Sequence, residues 1–211
     1  MDGVLRSMDM NVQNLAIRFS KAAAVLAAKE QYLSSVDAET GDGDHGVTIA
    51  KIANAIMTAC EQCNPNAAIG QLFDACYVEI MKVNGGSAGP LWAEMFSGMS
   101  EAAGDASELD GALLRRLYRG AVDGLNEISS AKPGEKTMKD ALLPAAEAAE
   151  RCEGSCGEIA RAAAEAAERG AEKTRDMVAK FGRARYLKED SIGHLDPGAV
   201  SVSIMLRALA D

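Results

Sequence analysis

The residues with the clearest potential for chemistry lie in an acidic loop at positions 37–46, Asp-Ala-Glu-Thr-Gly-Asp-Gly-Asp-His-Gly. Asp37, Asp42 and Asp44 bring three carboxylates into this short stretch, and glycines are interleaved with them. Mg²⁺ requires octahedral oxygen ligands and usually leaves positions for water and substrate phosphates. Glycines allow a loop to turn tightly enough to aim several side chains at one point. The loop therefore predicts a magnesium site with these three aspartates as ligands.

Three other interpretations match parts of the acidic loop. The Gly-x-Gly-x-x-Gly spacing at 41–46 matches the dinucleotide-binding fingerprint, but that motif follows a strand, and residues 21–36 have a helical pattern. An EF-hand loop beginning at Asp42 lacks its bidentate glutamate, since the twelfth position is Ala53. A solvated acidic turn that caps the following helix remains open from this stretch alone.

Composition restricts the classes of partner. The chain has 211 residues, with 22 Lys and Arg against 31 Asp and Glu, and a net charge of -9. Nucleic acids and anionic membranes are polyanions, so neither is an expected partner. No stretch reaches the roughly 18 apolar residues of a membrane span, and the N-terminus has no signal-peptide hydrophobic region. These features predict a cytoplasmic protein.

The five cysteines predict no disulfide framework, since their number is odd and their spacing irregular. Cys60 and Cys63 have the spacing of a redox or zinc motif, and Cys152 and Cys156 form a second pair. Neither pair has a histidine close by in sequence. We therefore interpret these residues as reduced structural thiols rather than as zinc ligands.

Apolar residues recur at helical spacing along most of the chain, and alanine is abundant while β-branched runs are few. This pattern predicts an all-α fold with about eight helices, no confident strand and a single domain spanning 1–211. The predicted helices cover residues 11–34, 47–63, 67–82, 91–103, 110–130, a sixth starting at 136 or 137, a seventh opened by a Ser155–Glu158 capping box and running to 180, and 200–210.

Two further loops have functional potential. Residues 84–90, Asn-Gly-Gly-Ser-Ala-Gly-Pro, lead into a helix, so they could bind an anion with backbone amides or could be an ordinary turn with a serine cap. Residues 180–199 form a long, glycine-rich, charged loop, which is unusual in a compact domain and often functional. Both histidines, His45 and His194, lie in polar loops. The chain contains no P-loop motif.

Five motifs in a fixed order carry a resemblance that covers nearly the whole chain. They are Gly-Asp-Gly-Asp-His-Gly (41–46), Gly-Gly-Ser-Ala-Gly-Pro (85–90), Lys-Pro-Gly-Glu-Lys-Thr-Met (132–138), Gly-Arg-Ala (182–184) and Gly-His-Leu-Asp-Pro-Gly-Ala (193–199). In these residues the chain closely resembles the nucleotide-binding L subunit of bacterial dihydroxyacetone kinases. The resemblance implies a barrel of eight antiparallel amphipathic helices with a nucleotide held by the loops at one end.

The resemblance also implies a set of ligands and partners. Two Mg²⁺ ions would bridge Asp37, Asp42 and Asp44 to the phosphates of ADP or ATP, and Arg183 would join these aspartates in catalysis. The ketose would be bound covalently to a histidine of a separate K subunit, and a phosphohistidine protein is a possible phosphoryl donor. The implied nucleotide contacts are His45, Gly46, Val47, Thr48, Ser87, Ala88, Ser129, Met138, Arg183, Asp196, Pro197 and Gly198.

The charge balance agrees with these implications. Three carboxylates and an ATP of charge about -4 would converge as about seven negative charges, and two Mg²⁺ ions leave about three. Arg183 can offset one of these. Phosphoryl transfer needs mainly positioning and charge neutralisation, so no nucleophile is expected on this chain.

The chain departs from the family pattern in its loops. Thr48 stands where family members often carry Asn, and Ser87-Ala88 reverses the commoner Ala-Ser order. Arg185 and Lys188 replace small residues, so they add positive charge near the nucleotide mouth or at the K-subunit interface.

Two other functions remain open from the sequence. A sister kinase could act on a tetrulose or another small ketose. A non-enzymatic helical module could bind a metal or a lipid-like molecule in its apolar core.

Overall fold

The computed structural model describes residues 10–211. Within them the chain forms nine α-helices and one pair of two-residue antiparallel strands, β1 (Met10–Asn11) and β2 (Glu108–Leu109). The helices are α1 (Val12–Ala27), α2 (Glu30–Ala38), α3 (His45–Glu61), α4 (Ile69–Met81), α5 (Ala88–Ala103), α6 (Gly111–Ile128), α7 (Lys139–Arg151), α8 (Cys156–Lys173) and α9 (Pro197–Ala210). Two 3₁₀ segments, Thr174–Asp176 and Ala184–Ser191, lie between α8 and α9. No helix in this part of the chain is both long and apolar enough to span a bilayer.

Polar side chains cap several helices at their first turns. Asn11 accepts a hydrogen bond from the Asn14 amide at 2.9 Å at the start of α1, and Asp110 accepts one from the Leu113 amide at 2.7 Å at the start of α6. These bonds satisfy donors that the helix itself leaves unpaired. At the start of α8, Ser155 and Glu158 form the reciprocal capping box that the sequence predicts.

The first predicted helix, 11–34, is in fact two helices. The backbone leaves helical geometry at Lys29, and α2 then continues to Ala38, beyond the predicted end. The bend directs Leu33 and Val36 of α2 into the core, where α2 packs on α3 and α9. As a consequence Asp37 lies in the last turn of a helix rather than in a loop.

The boundaries around the predicted sixth and seventh helices were also wrong. Lys136 has a φ of 61°, which a helix does not accommodate, so α7 begins only at Lys139. The seventh predicted helix ends at Lys173 rather than at 180, because a 3₁₀ turn follows and Met177 is extended. The segment after Met177 therefore belongs to the loop region that precedes α9.

Eight of the nine helices form a closed ring. Packing proceeds in the order α1, α3, α4, α5, α6, α7, α8 and α9, and α9 packs back on α1, while α2 lies against α3 and α9. The start of α8's last turn meets the start of α7, since a Cβ on Gly170 would lie 2.1 Å from the Asp140 carbonyl oxygen. This contact between the end of one helix and the start of the other shows that α7 and α8 run antiparallel. The all-α, single-domain barrel is thus confirmed, and the first nine residues of the predicted 1–211 domain lie outside the described residues.

Close backbone contact joins α5 and α6 in this ring. A Cβ on Gly98 would lie 1.9 Å from the carbonyl oxygen of Gly120, so neither position has room for a larger residue. Inside the barrel, Phe19, Phe73 and Phe96 pack with ring centroids 5.3 to 6.2 Å apart. Aromatic packing of this kind stabilises a core whose other large side chains are mostly aliphatic.

All five cysteines are free. Within the described part of the chain, no cysteine belongs to a group of three or more side chains that could jointly hold a metal ion. Cys60 and Cys76 are buried between α3 and α4, as expected for structural thiols.

Candidate functional site

The three aspartates of the acidic loop converge in space. Asp37 ends α2, Asp42 and Asp44 lie in the turn before α3, and one carboxylate oxygen from each lies within 4.8 Å of the other two. Asp37 is buried, whereas Asp42 and Asp44 are exposed. The turn therefore gathers three oxygen donors at the end of the barrel.

Backbone contacts fix Asp37 within this group. Its Oδ2 accepts a hydrogen bond from the first amide of α3, that of His45, at 3.2 Å. Its backbone oxygen accepts hydrogen bonds from the amides of Thr40 at 3.0 Å and Gly41 at 2.6 Å. A Cβ on Gly41 would lie 2.5 Å from Asp37 Oδ1, so the turn can pass this carboxylate only with glycine.

Asp44 occupies the position before α3, but its side chain makes no capping hydrogen bond there. The simple interpretation of the loop as an acidic helix cap is therefore wrong for Asp44. Its carboxylate instead faces Arg183, whose Nη1 lies 3.4 Å from Asp44 Oδ1 and also donates to Asp42 Oδ1.

The donor set suits a hard divalent cation. All three converging groups are carboxylates, the ligands that Mg²⁺ prefers. The neighbouring His45 does not belong to this group, and its Nε2 lies 3.2 Å from Ser201 Oγ on α9. Burial also lowers the pKa of His45, so its ring is neutral near pH 7 and links α3 to α9.

A cleft of about 800 Å³ opens beside the aspartates. Twelve of the residues predicted from the sequence line it: Asp37, Asp44, His45, Thr48, Ser87, Ala88, Ser129, Met138, Arg183, Asp196, Pro197 and Gly198. Five segments of the chain therefore meet at one surface. These are the turns before α3, α5, α7 and α9, together with the end of α6.

Asp42, Gly46 and Val47 were also predicted but do not form part of the cleft wall. Gly46 instead packs on α2, since a Cβ there would lie 2.0 Å from the Glu30 carbonyl oxygen. The Val47 side chain is exposed. Their assignment as nucleotide contacts stays a prediction.

Four helices point their N-termini at the cleft. The first residues of α3, α5, α7 and α9 all line it. A helix N-terminus carries a partial positive charge and unpaired amides, so this arrangement favours an anion. At α5, the preceding Ser87 makes no side-chain capping bond, which removes the ordinary serine-cap interpretation of that turn. A Cβ on Gly85 would lie 2.7 Å from Thr48 Oγ1, so the Thr48 side chain packs directly against the glycine turn.

Two buried lysines at the cleft were not predicted as site residues. Lys139 Nζ donates to Asn126 Oδ1 at 2.8 Å, to the Ser129 carbonyl at 2.6 Å and to the Ala131 carbonyl at 3.0 Å. Burial lowers the pKa of Lys139. The Lys139 ammonium therefore links the end of α6, and the irregular segment that follows it, to the start of α7.

Lys136 makes a similar link on the other side of the cleft. Its Nζ donates to the carbonyl oxygens of Thr174 at 2.6 Å, Met177 at 3.4 Å and His194. Burial lowers its pKa as well. Lys136 therefore fastens the turn before α7 to the end of α8 and to the loop that leads into α9.

Asp196 caps α9 at the edge of the cleft. Its Oδ2 accepts a hydrogen bond from the Ala199 amide at 2.7 Å. Burial raises its pKa to about 7, with the Asp140 and Asp37 carboxylates adding to the effect and Lys136 opposing it.

Comparison with known proteins now places the chain. Residues 39–211 match the family described as the DAK2 domain. The chain belongs to the DAK2 domain family.

Three curated relatives resemble this DAK2 domain along most of its length. It is 33% identical over 180 residues to the ADP-binding subunit DhaL of the PEP-dependent dihydroxyacetone kinase 1 of Listeria innocua, covering 85% of this chain and 86% of that one. The corresponding subunit of Escherichia coli is 31% identical, covering 90% and 92%. The D-erythrulose kinase of Mycolicibacterium smegmatis is 35% identical over 93% of this chain, which spans only 35% of that protein.

A solved structure has the same fold as this DAK2 domain. It is the dihydroxyacetone kinase from C. freundii in complex with AMP-PNP and Mg²⁺, with a TM-score of 0.74 and 25% identity. The match covers 100% of this chain and 36% of that chain.

One of the two buried lysines of this DAK2 domain, Lys139, had a signal in the sequence. Lys139 precedes Leu142, Ala146 and Ala149 at helical spacing, so it lies on the face of α7 that those residues bury. A lysine on a buried face needs oxygen partners, which indicates a polar site nearby. Lys136 had no such signal, since it lies outside any periodic segment.

Proposed function

We propose that this DAK2 domain, residues 1–211, is the nucleotide-binding subunit of a kinase for a small ketose. It binds ADP or ATP with Mg²⁺ in the cleft and delivers the phosphoryl group to a ketose held by a separate K subunit. The observation that carries the proposal is the convergence of Asp37, Asp42 and Asp44 beside a cleft that four helix N-termini face.

Asp37, Asp42 and Asp44 would hold the magnesium, as two ions. Bound magnesium supplies charge neutralisation at the phosphates, which is the main requirement of phosphoryl transfer. Asp37 suits the inner position because it is buried and its carboxylate is fixed by the His45 amide. Asp42 and Asp44 are exposed on the side from which a nucleotide would enter.

The helix N-termini would hold the anionic part of the nucleotide. Ser87 and Ala88 at the start of α5 line the cleft, as do Pro197 and Gly198 at the start of α9. Amides at such turns donate to phosphate oxygens, although Pro197 has no N–H and so only shapes its turn. The Arg183 guanidinium would donate hydrogen bonds to the phosphoryl group being transferred.

The remaining predicted contacts would surround the nucleoside. Ser129 and Met138 line the cleft together with His45 and Thr48. The buried Lys139 holds the Ser129 carbonyl, so it positions this wall without using its charge on the ligand. Gly46 and Val47 would contact the nucleotide only from the rim.

The phosphoryl acceptor in this proposal is a small ketose, for which there are two candidates. Two relatives are named ADP-binding subunits of dihydroxyacetone kinases, and others are named D-erythrulose and L-erythrulose kinases. Dihydroxyacetone is our first choice, because the relatives of similar length to this chain carry that name. A tetrulose is the second candidate.

The donor divides the same proposal into two cases. The DhaL relatives are named PEP-dependent or PTS-dependent, which favours a phosphohistidine protein that rephosphorylates bound ADP. Free ATP is the other case.

The five free cysteines agree with a cytoplasmic location, where thiols stay reduced.

A reconstituted kinase assay tests this function. The chain is combined with a ketose-binding K subunit, a panel containing dihydroxyacetone and both erythruloses, and either ATP or the phosphohistidine donor. We expect Mg²⁺-dependent phosphorylation of one ketose that requires both chains. Phosphorylation that proceeds equally without this chain, or none with any ketose and either donor, would contradict the proposal.

A further inference from the structure

Arg183 holds the same carboxylates that the proposed metal would need. Its Nη1 donates to Asp42 Oδ1 and lies 3.4 Å from Asp44 Oδ1. Both carboxylates belong to the group of three whose oxygens converge within 4.8 Å. Asp37, the third member, is held by the His45 amide instead.

A guanidinium and a divalent cation compete for these oxygens. Each carboxylate oxygen that binds Mg²⁺ directs its lone pairs at the ion, and an arginine fork uses the same lone pairs. Two cations at one pair of exposed carboxylates also repel each other. Metal binding at Asp42 and Asp44 therefore requires the Arg183 side chain to move away.

We infer that Arg183 is an exchangeable internal counter-ion that couples metal binding to nucleotide binding. This inference rests on the proposed function. When metal takes Asp42 and Asp44, the released guanidinium turns to the nucleotide phosphates, which replace the contacts it has lost. Without nucleotide the guanidinium finds no such replacement, so metal alone binds weakly. Metal and nucleotide thus strengthen each other's binding through one side chain.

The surroundings of Arg183 allow this movement. Its side chain is exposed and lines the cleft, so it can reach either the carboxylates or a ligand. The preceding Gly182 has a φ of 64°, and nothing lies within 4 Å of where its Cβ would be. No packed neighbour on that side therefore restrains the backbone that carries Arg183.

Arg185 provides a natural comparison. It lines the same cleft two residues later, but its guanidinium lies 4.8 Å from the centre of the Tyr186 ring and donates to Tyr186 Oη at 2.7 Å. Within residues 10–211 it forms no ion pair with a carboxylate. Removing Arg185 therefore removes a positive charge from the cleft without releasing Asp42 or Asp44.

A manganese titration of the full chain tests the inference. Free Mn²⁺ is followed by electron paramagnetic resonance for the wild type, Arg183→Gln and Arg185→Gln, each with and without ADP. Without nucleotide, Arg183→Gln should bind Mn²⁺ about three- to fivefold more tightly than Arg185→Gln, as expected for loss of a half-exposed ion pair. The factor by which ADP tightens Mn²⁺ binding should shrink in Arg183→Gln and stay near the wild-type value in Arg185→Gln.

Arg183→Lys gives a second measure that does not depend on the neutral variant. Lysine keeps the charge but lacks the guanidinium, whose Nη1 contacts both carboxylates, so its Mn²⁺ affinity should lie between those of the wild type and Arg183→Gln. Circular dichroism confirms that each variant is folded.

The possible outcomes distinguish a failure of this inference from a failure of the proposed function. Equal Mn²⁺ affinity and equal coupling in Arg183→Gln and Arg185→Gln would mean that only the total charge of the cleft matters, and the inference would fail. A wild type that binds neither Mn²⁺ nor ADP would overturn the proposed function itself.

Discussion

Two cavities in this barrel show how the same helices serve different purposes. The cleft holds about 800 Å³ and is lined by turns, helix N-termini and charged groups. A second cavity, of about 80 Å³, lies among methionine, leucine and phenylalanine side chains inside the barrel. Trp92 lines both, and its Nε1 is buried with no hydrogen-bond partner among the described residues.

The difference between the cavities follows from which part of a helix each one meets. Helix ends leave amides unpaired and admit glycine, so the cleft gains anion-binding groups. The sides of helices present only side chains, and around the inner cavity these side chains pack against each other. The inner cavity is smaller than the roughly 150 Å³ that admits benzene, and its lining is almost wholly apolar.

Phe96→Ala should have the largest effect, and on stability alone. Phe96 is buried against Phe19 and Phe73 and lines the inner cavity. Truncation would enlarge that cavity and lower the free energy of unfolding by about 3–5 kcal/mol. Chemical denaturation measures this, with Ile17→Ala on the exposed face of α1 as control. A matching loss of nucleotide affinity in the folded variant would show that the two cavities are not independent.

Asp42→Asn combined with Asp44→Asn should have the opposite pattern. Loss of two carboxylates from the group of three should weaken Mg²⁺-dependent nucleotide binding by about 100-fold or more. Stability should change little, because removal of two exposed like charges offsets the loss of their exposed ion pair with Arg183. Equilibrium binding of a fluorescent ADP measures the affinity. Asp74→Asn, on the outer face of α4, is the control, and unchanged affinity in the double variant would remove the metal site from our account.

Gly98→Ala should lower the free energy of unfolding by about 1–3 kcal/mol. The cause would be disturbed packing of α5 on α6 in the helical ring, and neither cavity would change. A Cβ on Gly98 would lie 1.9 Å from the Gly120 carbonyl oxygen, so α5 and α6 would have to separate. Gly157→Ala is the matched control, since nothing lies within 4 Å of its Cβ and alanine favours a helix. Thermal melting compares them. Equal melting temperatures would show that α5 and α6 separate easily.

Asp196→Asn should change how stability depends on pH rather than stability at acidic pH. Burial raises the pKa of Asp196 to about 7, so the folded protein favours the protonated acid. Ionisation therefore destabilises the fold progressively as the pH rises from about 4 to about 7. Asparagine keeps the helix cap but does not ionise.

Melting temperatures of the wild type and Asp196→Asn at pH 5.5 and 8.5 test this difference. The variant should gain stability relative to the wild type at the higher pH. A constant difference between the two proteins would mean that Asp196 titrates at its ordinary pKa.

Local sequence patterns were enough to predict much of this molecule. Apolar spacing identified the helices, and the three aspartates with their glycines identified the acidic turn, because both depend on residues close together in the chain. The break at Lys29 was missed since α2 turns there to pack on distant helices, which local spacing does not record. The oxygen partners of Lys136 lie 38 to 58 residues away, so only the fold brings them together.

The central claim is that this cleft binds a nucleotide only through metal held by the acidic turn. Isothermal titration calorimetry of ADP and ATP into the chain, with Mg²⁺ and then with a chelator, tests it most directly. We expect saturable binding of one nucleotide per chain with Mg²⁺ and its loss when the metal is removed. Nucleotide binding of equal affinity in the presence of the chelator would contradict the account.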